Sequence, residues 1–246
     1  MFKRFVVVLL TFFCLTGSAL AKDLVFAVDA TYPPMEMVDA QKNIVGFGPE
    51  LVAAIGKAAG FNAVTKNTAW DGIFAGLAAG KYDAICSSVS ITDERKATMD
   101  FTDPYFDVKQ GVIVAKGVTV NSLADLAGKT VASQIGTTGY FVCKKIEGAK
   151  AKSYDEIGLA VEDLYNGRCD AVIADDAVAS NYALQHEQYS KKLTLAYLIT
   201  PEKPEYLGIA VKKGDDKTRE LINAGLKKIK ENGEYDAIYK KWFSTK

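Results

Sequence analysis

The sequence predicts an α/β protein built from two similar lobes, each an open, mostly parallel sheet flanked by helices. Apolar strand-like runs alternate with amphipathic helical runs in the order β-α-β-α-β over residues 24–86, which favours a parallel sheet covered on both faces. The same alternation starts again beyond residue 120. Residues 79–85 and 165–173 also echo each other, because both run from a glycine-ended helix through Asp-Ala into an apolar strand. This repetition indicates two lobes and argues against one long sheet.

The first lobe is predicted from strong local signals. Residues 24–28 form a continuous apolar run, which is typical of a buried parallel strand. Residues 49–59 form a helix that starts at Pro49 and has Gly60 just past its end. The other predicted elements are a hairpin (35–45), a second helix (70–79) and two strands (63–65 and 82–86). In chain order they complete the first β-α-β-α-β unit.

The second lobe begins after a strand at 109–115 that leaves the first one. Its predicted elements are a short helix capped by Ser122, strands at 129–134, 152–154 and 170–174, a helix that ends at Lys145, and a helix over 155–166. A late strand at 207–211 then precedes a helical segment, 219–243, which Asn232-Gly233 interrupts. Composition and periodicity alone leave open which lobe this last segment joins.

The first residues are typical of a secretory signal peptide. Lys3-Arg4 is a basic start, residues 5–15 are apolar, and Ala19-Leu20-Ala21 suits a cleavage site. A short membrane anchor is the alternative, but the apolar run is too short to span a bilayer comfortably. We therefore expect the mature chain to begin at Lys22 and to be exported to an oxidising compartment.

The composition excludes several classes of function. Lys+Arg and Asp+Glu both number 30, so there is no basic excess that would indicate nucleic acid. Beyond the signal peptide lie three cysteines without C-x-x-C spacing and a single histidine, His186. This set does not fit a zinc site or a Cys/His catalytic site, and we expect neither a metal nor a cofactor. Cys86 is predicted to be a buried thiol, whereas Cys143 and Cys169 could pair.

A polar stretch, Ser87 to Arg95, follows the last strand of the first unit. Thr92 or Asp93 is expected to cap a short helix, so serine hydroxyls and an arginine gather at a strand end beside a helix N-terminus. A guanidinium and free backbone N–H groups at such a place can hold a carboxylate. This predicts a site for a small ligand with a carboxylate. The alternative is a surface arginine that pairs with Glu94 or another neighbour.

The run Ser-Ser-Val-Ser-Ile-Thr-Asp-Glu-Arg at 87–95, followed by Asp-Phe-Thr-Asp-Pro-Tyr at 100–105, resembles the signature of bacterial periplasmic amino-acid-binding proteins. These are the extracytoplasmic receptors of ABC importers for polar amino acids, among them glutamine-, histidine- and lysine/arginine/ornithine-binding proteins. Residues 231–243 are similar to the family's C-terminal signature. The resemblance implies a two-lobed type II periplasmic-binding-protein fold, a periplasmic location, a free amino acid as ligand and a membrane ABC permease as partner. It also implies a monomer that binds no nucleic acid.

The resemblance further implies that the chain crosses between the lobes twice. After the signal peptide (1–21), lobe 1 then consists of residues 22–107 and 208–246, and lobe 2 of residues 112–203. The hinge lies near 108–111 and 204–207. An amino acid docks on one lobe, and hinge rotation closes the other lobe over it.

By the same resemblance, Arg95 clamps the α-carboxylate of the ligand. Ser90 adds a backbone N–H beside it. Thr138, in the Gly136–Gly139 turn that opens a helix of lobe 2, completes the hydrogen bonds of that carboxylate. Together these residues imply a carboxylate site shared by both lobes.

The α-ammonium has its own expected partners. The resemblance implies that Ser88 offers it a carbonyl or hydroxyl oxygen and that Asp175, which follows a strand, pairs with it. Asp176 is the alternative acid, but the register favours Asp175 and makes Asp176 the cap of the next helix. A helix-capping role for both acids is the simpler alternative.

Two aromatic residues and one acid are expected around the ligand's side chain. From the residues alone, core packing is the better interpretation of Trp70, since it opens an amphipathic helix. The resemblance reverses this preference and implies that Tyr32 and Trp70 sandwich the side chain. Asp29 matches a position whose carboxylate touches the polar end of that side chain in relatives.

Two departures from the family bear on the ligand's identity. Relatives that bind basic amino acids commonly carry Gly-Phe-Asp where this chain has Gly46-Phe47-Gly48, so one acid is missing. Relatives that bind glutamine carry a lysine and a histidine where this chain has Gln134 and Ala174. Asp29 with Trp70 favours a cationic or polar end. We therefore prefer a basic amino acid, such as arginine, lysine or histidine, over glutamine or another polar amino acid.

We expect a receptor and not an enzyme. An enzyme on this scaffold, such as a cyclohexadienyl dehydratase, is the alternative and would need a placed general acid or base. The single histidine, His186, lies in the polar segment Gln-His-Glu-Gln and is expected to be exposed. A channel-gating module would need a membrane span, which the sequence after the signal peptide lacks.

Overall fold

Two five-stranded sheets organise the chain. The computed structural model describes residues 22–244, so the predicted signal peptide lies outside the described residues. The strands are β1 (Asp23–Val28), β2 (Thr31–Tyr32), β3 (Glu36–Val38), β4 (Ile44–Val45), β5 (Asn62–Asn67), β6 (Ala84–Ile85), β7 (Met99–Phe101), β8 (Phe106–Val108), β9 (Gln110–Ala115), β10 (Thr130–Gln134), β11 (Lys150–Tyr154), β12 (Ala171–Asp175), β13 (Leu193–Ile199), β14 (Glu205–Leu207) and β15 (Ala210–Lys212). The α-helices are α1 (Phe47–Ala59), α2 (Ile73–Ala78), α3 (Asp93–Lys96), α4 (Thr138–Lys145), α5 (Ile157–Tyr165), α6 (Asp176–Ser180), α7 (Asp216–Glu231) and α8 (Glu234–Phe243).

The two sheets share one plan. The first has the strand order β5-β1-β6-β15-β7 and the second the order β11-β10-β12-β9-β13. In each, the first three strands are parallel, and the fourth is antiparallel to both of its neighbours. This arrangement confirms the predicted α/β fold with two lobes that each hold a mostly parallel sheet, which the repeated β-α-β-α-β pattern indicated.

The chain passes from the first sheet to the second and later returns. β8 leads out of the first lobe and β14 leads back, and these two strands pair in antiparallel fashion as a separate ribbon. After the return, β15 is inserted between β6 and β7 of the first sheet. Helices α7 and α8 then pack on α1, so the end of the chain completes the lobe that its beginning started.

Several boundaries differ from the sequence prediction for local reasons. The helix predicted from residue 70 begins at Ile73, because Gly72 adopts a left-handed conformation with φ of 84°. The predicted strand 207–211 is divided into β14 and β15 around Gly208, where an added Cβ would lie 2.8 Å from Ile91 Cδ1. Strands β7, β8 and β13 were not predicted. β13 has an apolar, strand-like sequence, whereas β7 and β8 have only three residues each.

The three cysteines of the described chain are free and buried. The open possibility that Cys143 and Cys169 pair is not realised, because they lie in different apolar clusters. Their thiols point to separate carbonyl oxygens, Cys143 Sγ to Ala132 at 3.8 Å and Cys169 Sγ to Ala160 at 3.9 Å.

Close packing of α7 on α1 gives a first testable prediction. A Cβ on Gly225 would lie 2.6 Å from the carbonyl oxygen of Ile55 and 2.8 Å from Cγ2 of Ile55. The backbone of α7 at Gly225 therefore packs directly on α1, with no room for a side chain. We expect Gly225→Val to lower the free energy of unfolding by about 2 kcal/mol through overpacking. Urea unfolding measures this. The control is Lys227→Val at an exposed position of the same helix, which should change stability by at most about 0.5 kcal/mol. Equal stability of the two variants would contradict the close approach.

Candidate functional site

A cavity lies where the two lobes meet. Its wall is formed by Asp29, Tyr32, Trp70, Ser87, Ser88, Ser90, Arg95, Gln134, Thr137, Thr138 and Asp175. All eight residues that the sequence assigned to a ligand are in this wall, so the structure brings them together. Ser87, Gln134 and Thr137 had not been assigned to it. The binding roles of the eight residues stay predictions.

The topology explains why residues distant in sequence meet here. Asp29 follows β1, Ser87 and Ser88 follow β6, and Asp175 is the last residue of β12. Thr138 is the first residue of α4, which follows β10. In open α/β sheets, the carboxyl ends of the parallel strands form the crevice in which ligands bind. Both sheets present those ends to the same cavity.

Arg95 reaches across the junction of the lobes. Its helix α3 is capped by Thr92, whose Oγ1 accepts a hydrogen bond from the Arg95 N–H at 3.1 Å. The guanidinium donates to the carbonyl oxygen of Ser90 at 3.0 Å and to that of Gly136, in the other lobe, at 3.2 Å. Among residues 22–244, no carboxylate lies within ion-pair distance of it. The guanidinium of Arg95 is therefore held in place without an acidic partner among these residues.

Aromatic rings support the same guanidinium. Arg95 Cζ lies 5.6 Å from the ring centroid of Trp70 and 5.1 Å from that of Phe74, and the two rings are packed edge to face. Burial lowers the pKa of Arg95, but an arginine remains a cation in proteins. Trp70 therefore both lines the cavity and packs in an apolar cluster with Ile73 and Leu77. The two interpretations of this residue are compatible.

Tyr32 and Gln134 connect the lobes from opposite sides. The Tyr32 hydroxyl oxygen accepts a hydrogen bond from the Asp175 N–H at 3.3 Å. Gln134 Nε2 donates to Asp29 Oδ2 at 2.7 Å and to the carbonyl oxygen of Asp155 at 2.9 Å. Burial raises the pKa of Asp29, and the hydrogen bond from Gln134 opposes that rise. With the Arg95 contact to Gly136, these bonds hold the two lobes together around the cavity.

Asp175 lies beside a second acid that the sequence did not point to. Gln110 Nε2 donates to Asp175 Oδ1 at 2.8 Å and to Glu205 Oε2 at 3.3 Å, so one amide bridges two carboxylates. Glu205 Oε1 also accepts from Ser90 Oγ at 2.6 Å. Burial and the charge of Glu205 raise the pKa of Asp175 to about 8, and the Gln110 hydrogen bond opposes this. Asp176 begins α6 and lies outside the cavity wall, but the cap of this helix is Asp175 and not the predicted Asp176.

A third unassigned acid lies behind the serines. Glu36 is 1% exposed, and its Oε1 accepts from Ser88 Oγ at 2.9 Å and Ser87 Oγ at 3.4 Å. Its Oε2 has no hydrogen-bond partner among the described residues. Burial raises the pKa of Glu36 well above its usual range. A single acid between Met35 and Met37 in a predicted hairpin was the only sequence signal for this residue.

Comparison with known proteins shows the family of the chain. The sequence model of a protein family, the bacterial extracellular solute-binding proteins, family 3, matches residues 24–245. The chain belongs to this family. A probable histidine-binding protein of Neisseria gonorrhoeae is 38% identical over 223 residues, which cover 89% of this chain and 82% of that protein. The ABC transporter arginine-binding protein 1 of Escherichia coli K12 is 35% identical over 235 residues, with 92% and 93% covered.

A solved structure extends the family likeness to three dimensions. An ancestral arginine-binding protein bound to arginine superposes on this solute-binding protein with a TM-score of 0.85 and 38% identity. The match covers 92% of this chain and all of the other. The recognised motif and the two-lobed fold of family 3 are thus confirmed together.

The structure shows what surrounds the positions at which the sequence analysis expects a departure from the family pattern. A Cβ on Gly48 would lie 3.1 Å from Glu36 Oε2, so a side chain there would press on the buried acid. Gln134 binds Asp29, as described above, and Ala174 is buried in β12. The positions at which the sequence analysis expects a departure from the family pattern therefore lie at the acids of the site or next to them.

Groups typical of other functions lie elsewhere in this solute-binding protein. His186 is exposed, outside the cavity wall, and packs against the rings of Tyr182 and Tyr189 at 6.0 and 4.5 Å. In the described chain, no three His, Cys, Asp or Glu residues are grouped so that they could hold a metal ion. Within residues 22–244, no helix has both the length and the apolar character needed to cross a bilayer.

Proposed function

We propose that this solute-binding protein captures a basic amino acid in the periplasm and delivers it to an ABC permease in the membrane. The observation that carries the proposal is the excess of acid around the cavity. Asp29 and Asp175 line it, and Glu36 and Glu205 bond to the hydroxyls of its serines. Arg95 is the single cationic side chain among the described residues of the wall.

Charge balance selects the class of ligand. A zwitterionic amino acid that sets its carboxylate against Arg95 and its ammonium against Asp175 leaves the other acids unmatched. Buried charges are tolerated when they are paired, so a second cation on the ligand is favoured. Arginine, lysine and histidine supply that cation, whereas glutamine does not. The relatives named above are histidine- and arginine-binding proteins, which supports the same class of ligand.

The roles of the wall residues follow from their positions. The Arg95 fork takes the α-carboxylate, together with Ser90 and with Thr138 at the start of α4. Asp175 and Ser88 take the α-ammonium. Asp29 then receives the cationic end of the side chain, which lies between Tyr32 and Trp70. These assignments rest on the convergence of the eight residues on one cavity.

Closure of the lobes is the proposed mechanism. Lobe 1 consists of residues 22–107 and 208–246 and lobe 2 of residues 112–203, with the hinge near 108–111 and 204–207. The pairing of β8 with β14 at this crossing supports a two-strand hinge. The protein acts as a monomer, and the closed form is the one that the permease recognises.

A receptor is favoured over an enzyme. His186, the single histidine, lies outside the cavity wall, and the named relatives above are binding proteins. Capture without chemical change is therefore the expected outcome. Turnover of prephenate by the purified chain would support the alternative, a dehydratase of the same scaffold.

A thermal-shift screen of residues 22–246 against the twenty amino acids tests the ligand class. We expect arginine, lysine or histidine to raise Tm most, since a ligand at 100 times its Kd adds about 2.7 kcal/mol to stability. Citrulline, the neutral counterpart of arginine, is the matched control and should give a smaller shift. A larger shift with glutamine or citrulline than with any basic amino acid contradicts the proposal.

A further inference from the structure

Glu36 is buried behind the wall of the cavity, and its side chain hydrogen-bonds to two serine hydroxyls of that wall. We infer that Glu36 is a positioning residue that makes Ser88 an acceptor for the α-ammonium of the ligand. The inference rests on the proposed function and deepens it, because it names how the site distinguishes the α-ammonium from a neutral group.

The hydrogen-bond directions carry the first step. A serine hydroxyl has one proton to donate and lone pairs that accept. Ser88 Oγ gives its proton to Glu36 Oε1 at 2.9 Å, so only lone pairs remain for the cavity. Ser87 is used in the same way, since its Oγ accepts from the Asp29 N–H at 2.8 Å and is 3.4 Å from Glu36 Oε1. Both hydroxyls therefore offer acceptors to a ligand.

The backbone supports this orientation of Ser88. Ser88 has a φ of 49°, and among the described residues other than glycine only Lys42 shares a positive φ. Such left-handed conformations are uncommon for residues other than glycine and often occur at functional sites. The bond to Glu36 holds the Ser88 hydroxyl on the protein side of this turn, while Ser88 remains part of the cavity wall.

A cationic nitrogen at Ser88 Oγ favours the charged form of Glu36 through the same hydroxyl and so opposes the effect of burial on this carboxyl. A ligand N–H that donates to Ser88 Oγ polarises it, and the polarised O–H then donates more strongly to the carboxylate. Hydrogen bonds that involve ionised groups are about twice as strong as neutral ones. The series of hydrogen bonds from a cationic nitrogen through Ser88 to Glu36 therefore binds a positively charged donor of the ligand strongly. It binds a neutral donor less strongly.

Direct and relayed actions of Glu36 are separated by a double-mutant cycle. The variants are Glu36→Gln, Ser88→Ala and the double variant, with Kd for arginine and for argininic acid, which carries a hydroxyl in place of the α-ammonium, measured by calorimetry on residues 22–246. We expect Glu36→Gln to raise the Kd for arginine about tenfold or more and to reduce the preference for arginine over argininic acid. In the Ser88→Ala background, the same change should have little further effect, since residues in one network are coupled.

Two results would overturn the inference. Independent effects of the two substitutions, multiplying in the double variant, would show that Glu36 does not act through Ser88. Equal losses for arginine and argininic acid would show that it only supports the fold. If Glu36→Gln fails to fold, Glu36→Met replaces it, because an apolar side chain of similar size is often tolerated at a buried ionic position. If the unaltered protein binds no basic amino acid, the proposed function itself fails and this inference with it.

Discussion

Replacing Arg95 with methionine is expected to weaken the binding of a basic amino acid by about a hundredfold or more. The ligand's α-carboxylate would lose its fork and stay buried in a cavity that already contains Asp29 and Asp175. Removing one partner of a buried ion pair costs about 3–5 kcal/mol, and every 1.4 kcal/mol is a tenfold change in Kd. Arg95→Lys should recover part of the affinity, since it keeps the charge without the planar geometry.

Calorimetry on residues 22–246 measures the effect of Arg95→Met. Lys96→Met is the matched control, because Lys96 lies next in the same helix but is exposed, and it should bind like the unaltered protein. Thermal unfolding without ligand checks that both variants fold. An unchanged Kd in Arg95→Met would end the assignment of Arg95 to the carboxylate.

The sequence identified the residues of the site that belong to a contiguous motif. Ser88, Ser90 and Arg95 lie within nine residues, on a strand end and a capped helical turn whose signals are local. Thr138 and Asp175 were added through the resemblance to the family, and each stands at a strand-to-helix junction. Such junctions converge at one edge of an open sheet, so that their meeting follows from the fold class.

The acids that complete the site could not be found in the same way. Glu205 touches Ser90 from 115 residues away, and Glu36 touches Ser88 from 52 residues away. Glu205 lies on β14, which pairs with β8 in a short two-stranded ribbon. This strand belongs to neither five-stranded sheet, so the repeated sheet pattern in the sequence does not indicate it. Long-range pairing of short strands depends on the whole fold. Local periodicity carries no information on it.

The same limit applies to the topology. The second β-α-β-α-β unit was visible as a repeat, but the insertion of β15 between β6 and β7 was not. β15 has only three residues, Ala210 to Lys212, and its neighbours in the sheet are more than a hundred residues earlier in the chain. The resemblance implied that the chain returns to its first lobe, and the sheet order explains how this return is accommodated.

Asp175→Asn is the second substitution with a large expected effect. Asparagine keeps the shape and the hydrogen-bonding capacity of the side chain but removes the charge that faces the ligand's α-ammonium. Truncating one member of a buried charge pair costs about 2–5 kcal/mol, so we expect Kd to rise by between about thirtyfold and several thousandfold. Asp176→Asn is the control, because Asp176 is the neighbouring acid and lies outside the cavity wall.

The variant should also lose a pH dependence. In the protein, burial and Glu205 raise the pKa of Asp175 to about 8 from its ordinary value of 3.8. Near pH 7 the carboxyl therefore holds a proton, and a cationic ammonium favours the charged form and displaces it. Binding should release up to one proton at pH 7, and affinity should increase as pH rises from 6 to 8. Calorimetry in two buffers of different ionisation enthalpy measures the released proton.

Stability without ligand should depend on pH in the opposite direction. Between the two pKa values, the folded protein binds more protons at Asp175 than the unfolded chain does, so the free energy of unfolding falls as pH rises from about 4 to about 8. Asp175→Asn removes this contribution, and its urea-unfolding curves should be less sensitive to pH over that interval. Asp176→Asn should retain the proton release on binding, but it should lose its own part of the decline in stability, because burial also raises the pKa of Asp176. If Asp175→Asn kept the full proton release on binding, the proton would come from another group, and the pairing of Asp175 with the ammonium would be wrong.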